Sequence, residues 1–496
     1  MADTTTGSKL LAHPREFFIG GEWSAPSSDG TIDVITPSTE ELFVQVARAQ
    51  AADIDRAVGA ARAAFDKGPW PRMTHAERAG YLREIAKQWT ARSGDLATIW
   101  TSEMGILKSM ADLHARFIAV PYNSYAALAD TFAFEERHKP RAGGKVGLLV
   151  REPVGVVAAI IAWNGPAPMI AQKVAPALLA GCTVILKPAP EAPGAAYLFA
   201  QICEAVGLPP GVVNVLTAER DVSELLVRHP GVDKVTFTGS SAAGKRIAAI
   251  CGERIARCTL ELGGKSPAIV LDDYDLDAAA ETLSGTIRMM TGQICSMLTR
   301  VIVNRRRQDE LLEAMKASFS SIRVGDPFAE GIDMGPLAMS RQRDRVEGYI
   351  SKGIADGARL VTGGRRPPHL DRGFYVEPTV FGNVDNRTAI AQEEIFGPVI
   401  SVIPADDEAH AIAIANDSPY GLNATVFTKD AERAYRVARQ LQSGTVGHNA
   451  FRTDYTIGFG GFKQSGIGRE GSTEGLLPFL ETKTVILEGN PAHVYD

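Results

Sequence analysis

Cysteine is scarce in this sequence, with five in 496 residues, at positions 182, 203, 251, 258 and 295. The count is odd and contains no CxxC pair, which excludes a disulfide framework; none of the nine histidines pair at zinc-helix spacing, so structural zinc is also set aside. Basic excess is missing too: 52 Lys and Arg stand against 58 Asp and Glu, a net charge of −6. Such a chain has no positive field to draw in phosphate backbones or anionic lipid, so nucleic-acid and membrane-surface partners are not expected. Long apolar runs are lacking as well. The longest, Val154–Trp163 and Val174–Leu186, fall short of the roughly 20 residues that cross a bilayer, and Lys187 closes the second. His13, Pro14 and Arg15 break any apolar core begun by Leu10 and Leu11, so no secretory signal is read and a cytoplasmic protein is expected. Heptads, low-complexity tracts and short repeats are also missing, which leaves coiled coil and solenoid without support.

What remains is a globular composition, 45% hydrophobic and 22% charged, with 48 glycines that imply many tight turns. At about 150 residues per domain, the length suggests about three units. Short strands are predicted at Phe17–Ile19 and Ile32–Ile35, then amphipathic helices over Ala52–Phe65, Thr74–Arg92 and from Met110 toward Phe132. After Lys145 the pattern changes. Val154–Ile161 is unbroken, apolar and rich in β-branched residues, as a strand covered on both faces must be. Helix Ala167–Leu179, strand Thr183–Leu186, helix Tyr197–Val206, strand Val212–Leu216, helix Val222–His229 and strand Lys234–Thr238 come next in alternation. This predicts a doubly wound α/β domain able to bind a nucleotide at its carboxyl edge. A second α/β set runs from about Leu276 to Gly461 through Val301–Val303, Val399–Val402 and Ala424–Phe427.

Several segments carry possible chemistry. Gly239–Arg246 comes after a strand and opens a helix, where free N–H groups favour an anion, or where a glycine merely stops the strand and the helix is capped. It nearly spells a P-loop, but Arg246 stands where a magnesium-holding hydroxyl belongs, which weakens an NTPase reading. Cys295 lies in the polar turn Gly292–Ser296, where a thiol can face a cleft, although most free cysteines are small buried hydrophobes, the fate expected of Cys182 and Cys203. Glu261 is a carboxylate inside an apolar strand ending at Gly263–Gly264; burial would raise its pKa and suit it to general-base work, while an edge-strand glutamate facing water reads about as well. Asn164, in Trp163–Pro166 at the end of the first parallel strand, offers an uncharged donor for a developing oxyanion, or simply makes the turn. Lys187 is a candidate for a ribose or phosphate contact and a glutamate in Gln392–Pro398 for ribose hydroxyls, although each taken alone reads more simply as a surface charge.

In their order, these segments resemble the aldehyde dehydrogenase superfamily from about Phe17 to Lys483. The pieces are Trp163-Asn164, Leu186-Lys187-Pro188, Phe237-Thr238-Gly239-Ser240, Leu260–Lys265, Gly292-Gln293-Ile294-Cys295, Glu393–Pro398, Pro419–Leu422, and Phe459–Lys463 together with Ser465-Gly466. The resemblance implies two doubly wound α/β domains, a Rossmann-like dinucleotide-binding domain (1–131 and 153–264) and a catalytic domain (265–462). It adds a small β-rich oligomerisation arm and tail (132–152 and 463–496), giving a homodimer or homotetramer. It implies Cys295 as nucleophile, Asn164 and the Cys295 N–H as oxyanion donors, Glu261 as the base that hydrolyses a thioester, and Lys173 and Glu470 in proton relay. The cofactor would meet Gly239 and Ser240 at its pyrophosphate, Lys187 at the adenosine ribose, and Glu394 and Phe396 at the nicotinamide ribose, with Ile161, Trp163 and Leu262 along its path.

Departures from the family pattern concern the substrate. Gly165 stands after the asparagine where many relatives are aromatic, and Met290, Met289 and Arg288 stand five to seven positions before the nucleophile, which suggests a wider, more adaptable pocket. Pro190 occupies the position three after Lys187 where NAD-preferring relatives often carry a glutamate, with Glu191 one place late. NAD is expected because no arginine lies soon after Lys187 to take a 2′-phosphate, and NADP stays open because Lys187 itself can serve. Two rival readings are an acylating enzyme that passes the acyl group to coenzyme A, against which Glu261 argues, and a non-catalytic nucleotide-binding protein of the same fold.

Overall fold

The structure is a computed structural model that describes residues 6–491; the outermost ends of the first domain and of the tail, 1–5 and 492–496, lie outside the described residues. Its centre is a parallel sheet built from β1 (Val156–Ile160), β2 (Thr183–Lys187), β3 (Val213–Val215), β4 (Lys234–Thr238) and β5 (Arg257–Glu261). The spatial order is β3-β2-β1-β4-β5. The chain thus winds outward in one direction from β1 through β2, then crosses back to β4, and a crevice opens at the carboxyl ends of β1 and β4. Ile160 pairs with Lys187 on one side and Phe237 on the other, and Thr238 pairs with Glu261. Antiparallel edges complete eight strands, with Phe17–Ile19 and Glu22–Ser24 beside β3, and the two-residue strand Gly466–Ile467 beside β5. All residues of β1 and β2 are buried, because helices cover both faces.

A second, seven-stranded sheet holds β6 (Ser266–Val270), β7 (Leu298–Asn304), β8 (Thr379–Gly382), β9 (Val399–Ala405), β10 (Asn423–Phe427) and β11 (Thr445–His448), in the order β8-β9-β7-β6-β10-β11, with Arg359–Thr362 antiparallel at the β8 edge. The chain passes from the first sheet to the second through Leu262–Lys265. A separate three-stranded antiparallel sheet joins Glu135–His138, Val146–Pro153 and Leu480–Leu487, with register running from Val146 opposite Leu487 to Pro153 opposite Leu480.

Three differences from the sequence-based expectations have local causes. The strand expected over Val154–Ile161 begins only at Val156, because Gly155 turns at φ +129 and lies so close to Asp233 that a Cβ there would meet its carboxylate at 1.9 Å. That carboxylate accepts the Val156 N–H at 2.7 Å, and Val154 instead donates to the Phe479 carbonyl. The helix expected from Met110 toward Phe132 is two, Lys108–Ala115 and Ala119–Thr131. Pro121 has no N–H and is tolerated in a first turn, so a new helix begins just before it. The tail expected from 463 onward also divides. Gly466–Ile467 extends the first sheet, Ser472–Leu476 is a short helix, and only Leu480–Leu487 joins the three-stranded sheet.

Candidate active site

The site forms where the carboxyl end of β1 runs into α1 (Pro166–Ala180). Pro166 occupies the first helical position, where its missing N–H costs nothing, and Gly181 ends the helix in the left-handed region at φ +98. Asn164 sits just before this helix, 6% exposed. Its backbone carbonyl accepts the Trp100 indole N–H at 2.9 Å, and its side-chain amide donates to the Gln293 carbonyl at 3.0 Å. An amide carries two N–H donors, so one remains for another acceptor.

Gln293 ties this turn to the cysteine loop. Fully buried, it donates to the Met290 carbonyl at 2.9 Å and accepts the Ala338 N–H at 3.0 Å. The loop is conformationally unusual, since Met290 and Thr291 both adopt positive φ (+49 and +56), and the Thr291 hydroxyl bonds the Gly335 carbonyl at 3.0 Å. Non-glycine residues held there are characteristic of functional loops over-determined by their surroundings. Gly264 lets β6 approach, because a Cβ on it would meet the Cys295 carbonyl oxygen at 2.3 Å. Cys295 is partly exposed, whereas Cys182, Cys203 and Cys251 are buried. Burial pushes the Cys295 thiol well up, with the Glu394 and Glu261 carboxyls adding to the effect. A thiol held this way needs a neighbouring base to become a nucleophile.

Glu261 ends β5 and is 2% exposed, so it does not face water. Its strand is enclosed on the far side by Gly466, which pairs with it. Neither carboxylate oxygen has a hydrogen-bond partner among the described residues. Burial raises this carboxyl well above the usual range, the Glu470 carboxyl raises it further, and the Lys173 and Arg469 cations pull it back. Behind it lies a buried ion pair, in which Lys173, fully buried on α1, donates to Glu470 at 2.5 Å. The Glu470 turn is fixed by Gly471, which donates to the Tyr125 hydroxyl at 3.1 Å. Tyr455 marks the convergence: burial and the combined proximity of Cys295, Glu470 and Glu261 all hold its phenol protonated.

Two cavities meet at Cys295. One of about 250 Å³ is lined by Trp163, Gly239, Ser240, Leu262, Glu394 and Phe396, together with Asn164 and Cys295. Ser240 caps α2 (Ser241–Arg254), accepting the Ala243 N–H at 3.3 Å. This leaves first-turn donors at the cavity, and a Cβ on Gly239 would meet the Phe237 ring at 2.4 Å, so a close backbone approach is built in. Glu394 accepts the Gly264 N–H at 3.1 Å, and burial pushes its carboxyl up to about 7. Phe396, at φ +61, stands edge-on to Trp163 with ring centroids 5.3 Å apart. These features fit a dinucleotide: helix N–H donors for phosphate, a carboxyl for ribose hydroxyls and flat apolar walls. Lys187, its amine lowered to about 8 by burial, and Ile161, which donates to the Lys187 carbonyl at 3.1 Å, belong to the adjoining strand ends and do not line this cavity. Arg246 is held at the surface by Glu224, at 2.9 and 3.1 Å. The second cavity, about 570 Å³, lies on the other side of Asn164 and Cys295 and contains Glu470 in its wall.

Sequence reasoning passed over several residues here. Gln293 lies inside a recognised segment and was legible as a buried amide beside the thiol. Tyr125, Tyr455 and Met169 reach the site only through tertiary packing and carry no local signal.

The aldehyde dehydrogenase family model matches residues 23–485. Geranial dehydrogenase of Castellaniella defragrans is 42% identical over 96% of this chain and 99% of its own length. A Mycobacterium tuberculosis aldehyde dehydrogenase solved with NAD+ is 44% identical, with a TM-score of 0.93 over 95% of this chain and 98% of that one. Betaine aldehyde dehydrogenase of Staphylococcus aureus, also solved with NAD+, is 35% identical at a TM-score of 0.95, covering 98% of this chain and 97% of that one.

Proposed function

The chain belongs to the aldehyde dehydrogenase family, and from that premise we propose that Cys295, Asn164 and Glu261 carry its chemistry, with Lys173 and Glu470 behind them. The reaction is oxidation of an aldehyde to a carboxylic acid with NAD. The observation that carries the residue assignment is the position of Cys295 at the meeting point of the two cavities, beside Asn164, which lines both.

In the proposed sequence, the Cys295 thiol gives its proton to a neighbouring carboxylate and the sulfur bonds to the aldehyde carbon. The resulting oxyanion is met by the second Asn164 N–H and the Cys295 backbone N–H, donors worth about 3 kcal/mol each in comparable sites. When bound against Ser240, Gly239, Glu394 and Phe396, NAD supplies the hydride acceptor. A thioester to Cys295 remains. Glu261 takes a proton from water as its oxygen adds to the thioester carbon, and the C–S bond then breaks to release the carboxylate and return the sulfur. The Lys173–Glu470 pair sets how readily Glu261 ionises and offers its proton a buried exit.

By the same reading, 1–131 with 153–264 is the dinucleotide-binding domain and 265–462 the catalytic domain. Among the described residues the three-stranded sheet pairs with no further strand at either edge, and it is proposed to join subunits of a homodimer or homotetramer. All five cysteines are free thiols, which suits the cytoplasm; no described helix is long and apolar enough to cross a membrane.

Cys295→Ala tests the assignment. Aldehyde-dependent NADH formation is expected to vanish while NAD still binds by calorimetry; turnover at the parent rate discards the mechanism. A carboxylic acid product, formed equally with and without coenzyme A, separates hydrolysis from acyl transfer.

A further inference from the structure

The cavity on the far side of Cys295 has a chemical character of its own. Its wall is dominated by Trp100, Phe117, Met169, Met290, Ile294 and Phe451, and it contains neither lysine nor arginine. Two carboxylates reach the wall: Glu470 is compensated by Lys173 at 2.5 Å, whereas Asp454 is solvent-exposed and held ionised by the Thr456 N–H and hydroxyl at 2.8 and 2.6 Å. His114, also in the wall, is held neutral because burial lowers its pKa. The buried part of the wall therefore offers no counter-charge to a charged substrate tail of either sign.

Size and access point the same way. About 570 Å³ is the volume of a site for a sizeable organic molecule, far beyond what a two- or three-carbon aldehyde fills. Gly165 helps make this room: a Cβ there would find only the Met169 Cε and Trp100 Cζ2 atoms, both at 3.9 Å, and its φ of −140 is open to any residue. At the outer end the wall becomes solvent-exposed, polar along Thr453, Asp454 and Thr456 and apolar along a second stretch. Phe117 is 60% exposed and Val120 43%, and Ile457, next in sequence to the wall residue Thr456, is 74% exposed. A contiguous apolar lining that continues onto the surface marks a binding path for apolar material.

We propose that the substrate is an uncharged, nonpolar aldehyde with a hydrocarbon chain of medium to long length. Its carbonyl lies at Cys295, its chain passes Gly165 and the methionines, and its far end reaches Phe117 and Val120. This rests on the aldehyde-oxidising reading of the same site. Gly165 is the specificity-determining position for chain bulk, and Phe117 for chain length.

The test measures kcat/KM by NADH formation for propanal, hexanal, octanal, decanal and dodecanal, and for two charged probes, one aldehyde bearing a trimethylammonium group and one bearing a carboxylate. The expected result is a rise of about fourfold per methylene until the cavity is filled, the gain of burying one CH2. Both charged probes, chosen short enough that the charge stays in the buried part of the cavity, are expected at least about a hundredfold below a nonpolar aldehyde of similar length, since that charge must be desolvated unpaired. A flat series, or a charged probe as best substrate, overturns the proposal while leaving the aldehyde-oxidising reading intact. Failure of every aldehyde to yield NADH overturns both. Gly165→Phe is expected to lower the decanal-to-propanal ratio at least about tenfold by filling the path. Phe117 is exposed, so Phe117→Ser folds readily; the dodecanal-to-hexanal ratio should fall about tenfold, and an equal loss at every chain length contradicts the reach to the mouth.

Discussion

The buried Lys173–Glu470 pair gives the sharpest test of the proposed base, because removing its two members should move the pH profile in opposite directions. Glu261 is raised by burial and by the Glu470 carboxyl and lowered by the Lys173 cation. Lys173→Met removes the attraction and leaves the repulsion, so the Glu261 carboxyl rises further. Glu470→Gln removes the repulsion and frees the Lys173 cation, so it falls. At an effective dielectric near 20, a unit charge a few ångströms away is worth about 3–4 kcal/mol, enough to move a titration visibly. Glu261 works in its deprotonated form, so rate climbs as pH rises through its pKa, and a higher pKa displaces that climb to higher pH. The acid limb of kcat against pH should therefore shift to higher pH in Lys173→Met and to lower pH in Glu470→Gln. Stopped-flow decay of the thioester gives the same limb for the hydrolytic step alone. Movement of both limbs in one direction, or of neither, refutes the role given to Glu261. Stability supplies the control: Lys173→Met strands a buried carboxylate at a cost of about 3–5 kcal/mol, read from denaturant midpoints, and Lys173→Met with Glu470→Gln should recover part of it.

Two further perturbations probe separate features. Asn164→Ala removes one oxyanion donor and should lower kcat about a hundred- to a thousandfold with little change in KM; a loss confined to KM would reassign the residue to uniform binding. Glu103 is 2% exposed, accepts the Gly194 N–H at 2.8 Å, and is pushed by burial from the usual 4.5 up to about 8. Its neutral form is the stable one in the fold, so its contribution is complete below about pH 4.5 and lost as pH rises toward 8, a change of roughly 4–5 kcal/mol. Glu103→Gln should remove that slope from the urea-unfolding free energy between those pH values, and parallel curves for parent and variant would contradict it.

The scaffold was largely legible because its signals are local. Lys234–Thr238 is a strand with the bounds its composition predicts, and Thr74–Arg92 matches a helix over His75–Ala91 because Thr74 and Glu77 cap it reciprocally. Where the sequence misled, a distant partner or a single backbone group decided. Val154 reads as strand until Asp233, far along the chain, claims the space beside Gly155. Met110 to Phe132 reads as one helix because apolar spacing continues across the break that Pro121 imposes. At the site, residue types were legible and their surroundings were not. Glu261 could face water or the interior from its strand alone; Gly466, pairing from across the chain, encloses it. The widened substrate side was legible as Gly165 and the two methionines, whereas the exposed apolar mouth at Phe117 and Val120 depends on how two helices meet.

A single physical condition accounts for the unusual ionisation throughout this site. Glu261, Glu394, Cys295 and Lys187 are all displaced toward their neutral forms, and in each the largest cause is removal from water. Dryness favours hydride movement and protects a thioester from unassisted hydrolysis, but it also means that charging one group raises the cost of charging the next acid beside it. Cys295 and Glu261 are such neighbours, and both must lose a proton within one turnover. A proton leaving the thiol is therefore best accepted by Glu261 itself, which keeps the pair at one negative charge, and must pass onward before Glu261 can act again on water. The Lys173–Glu470 pair, compensated and within electrostatic reach of Glu261, is the place where that charge can be tolerated. The measured pH dependence then belongs to the cluster as a whole, so substitutions at 173 and 470 should also displace the pH at which Cys295 reacts with a thiol reagent, in the same directions as the acid limb.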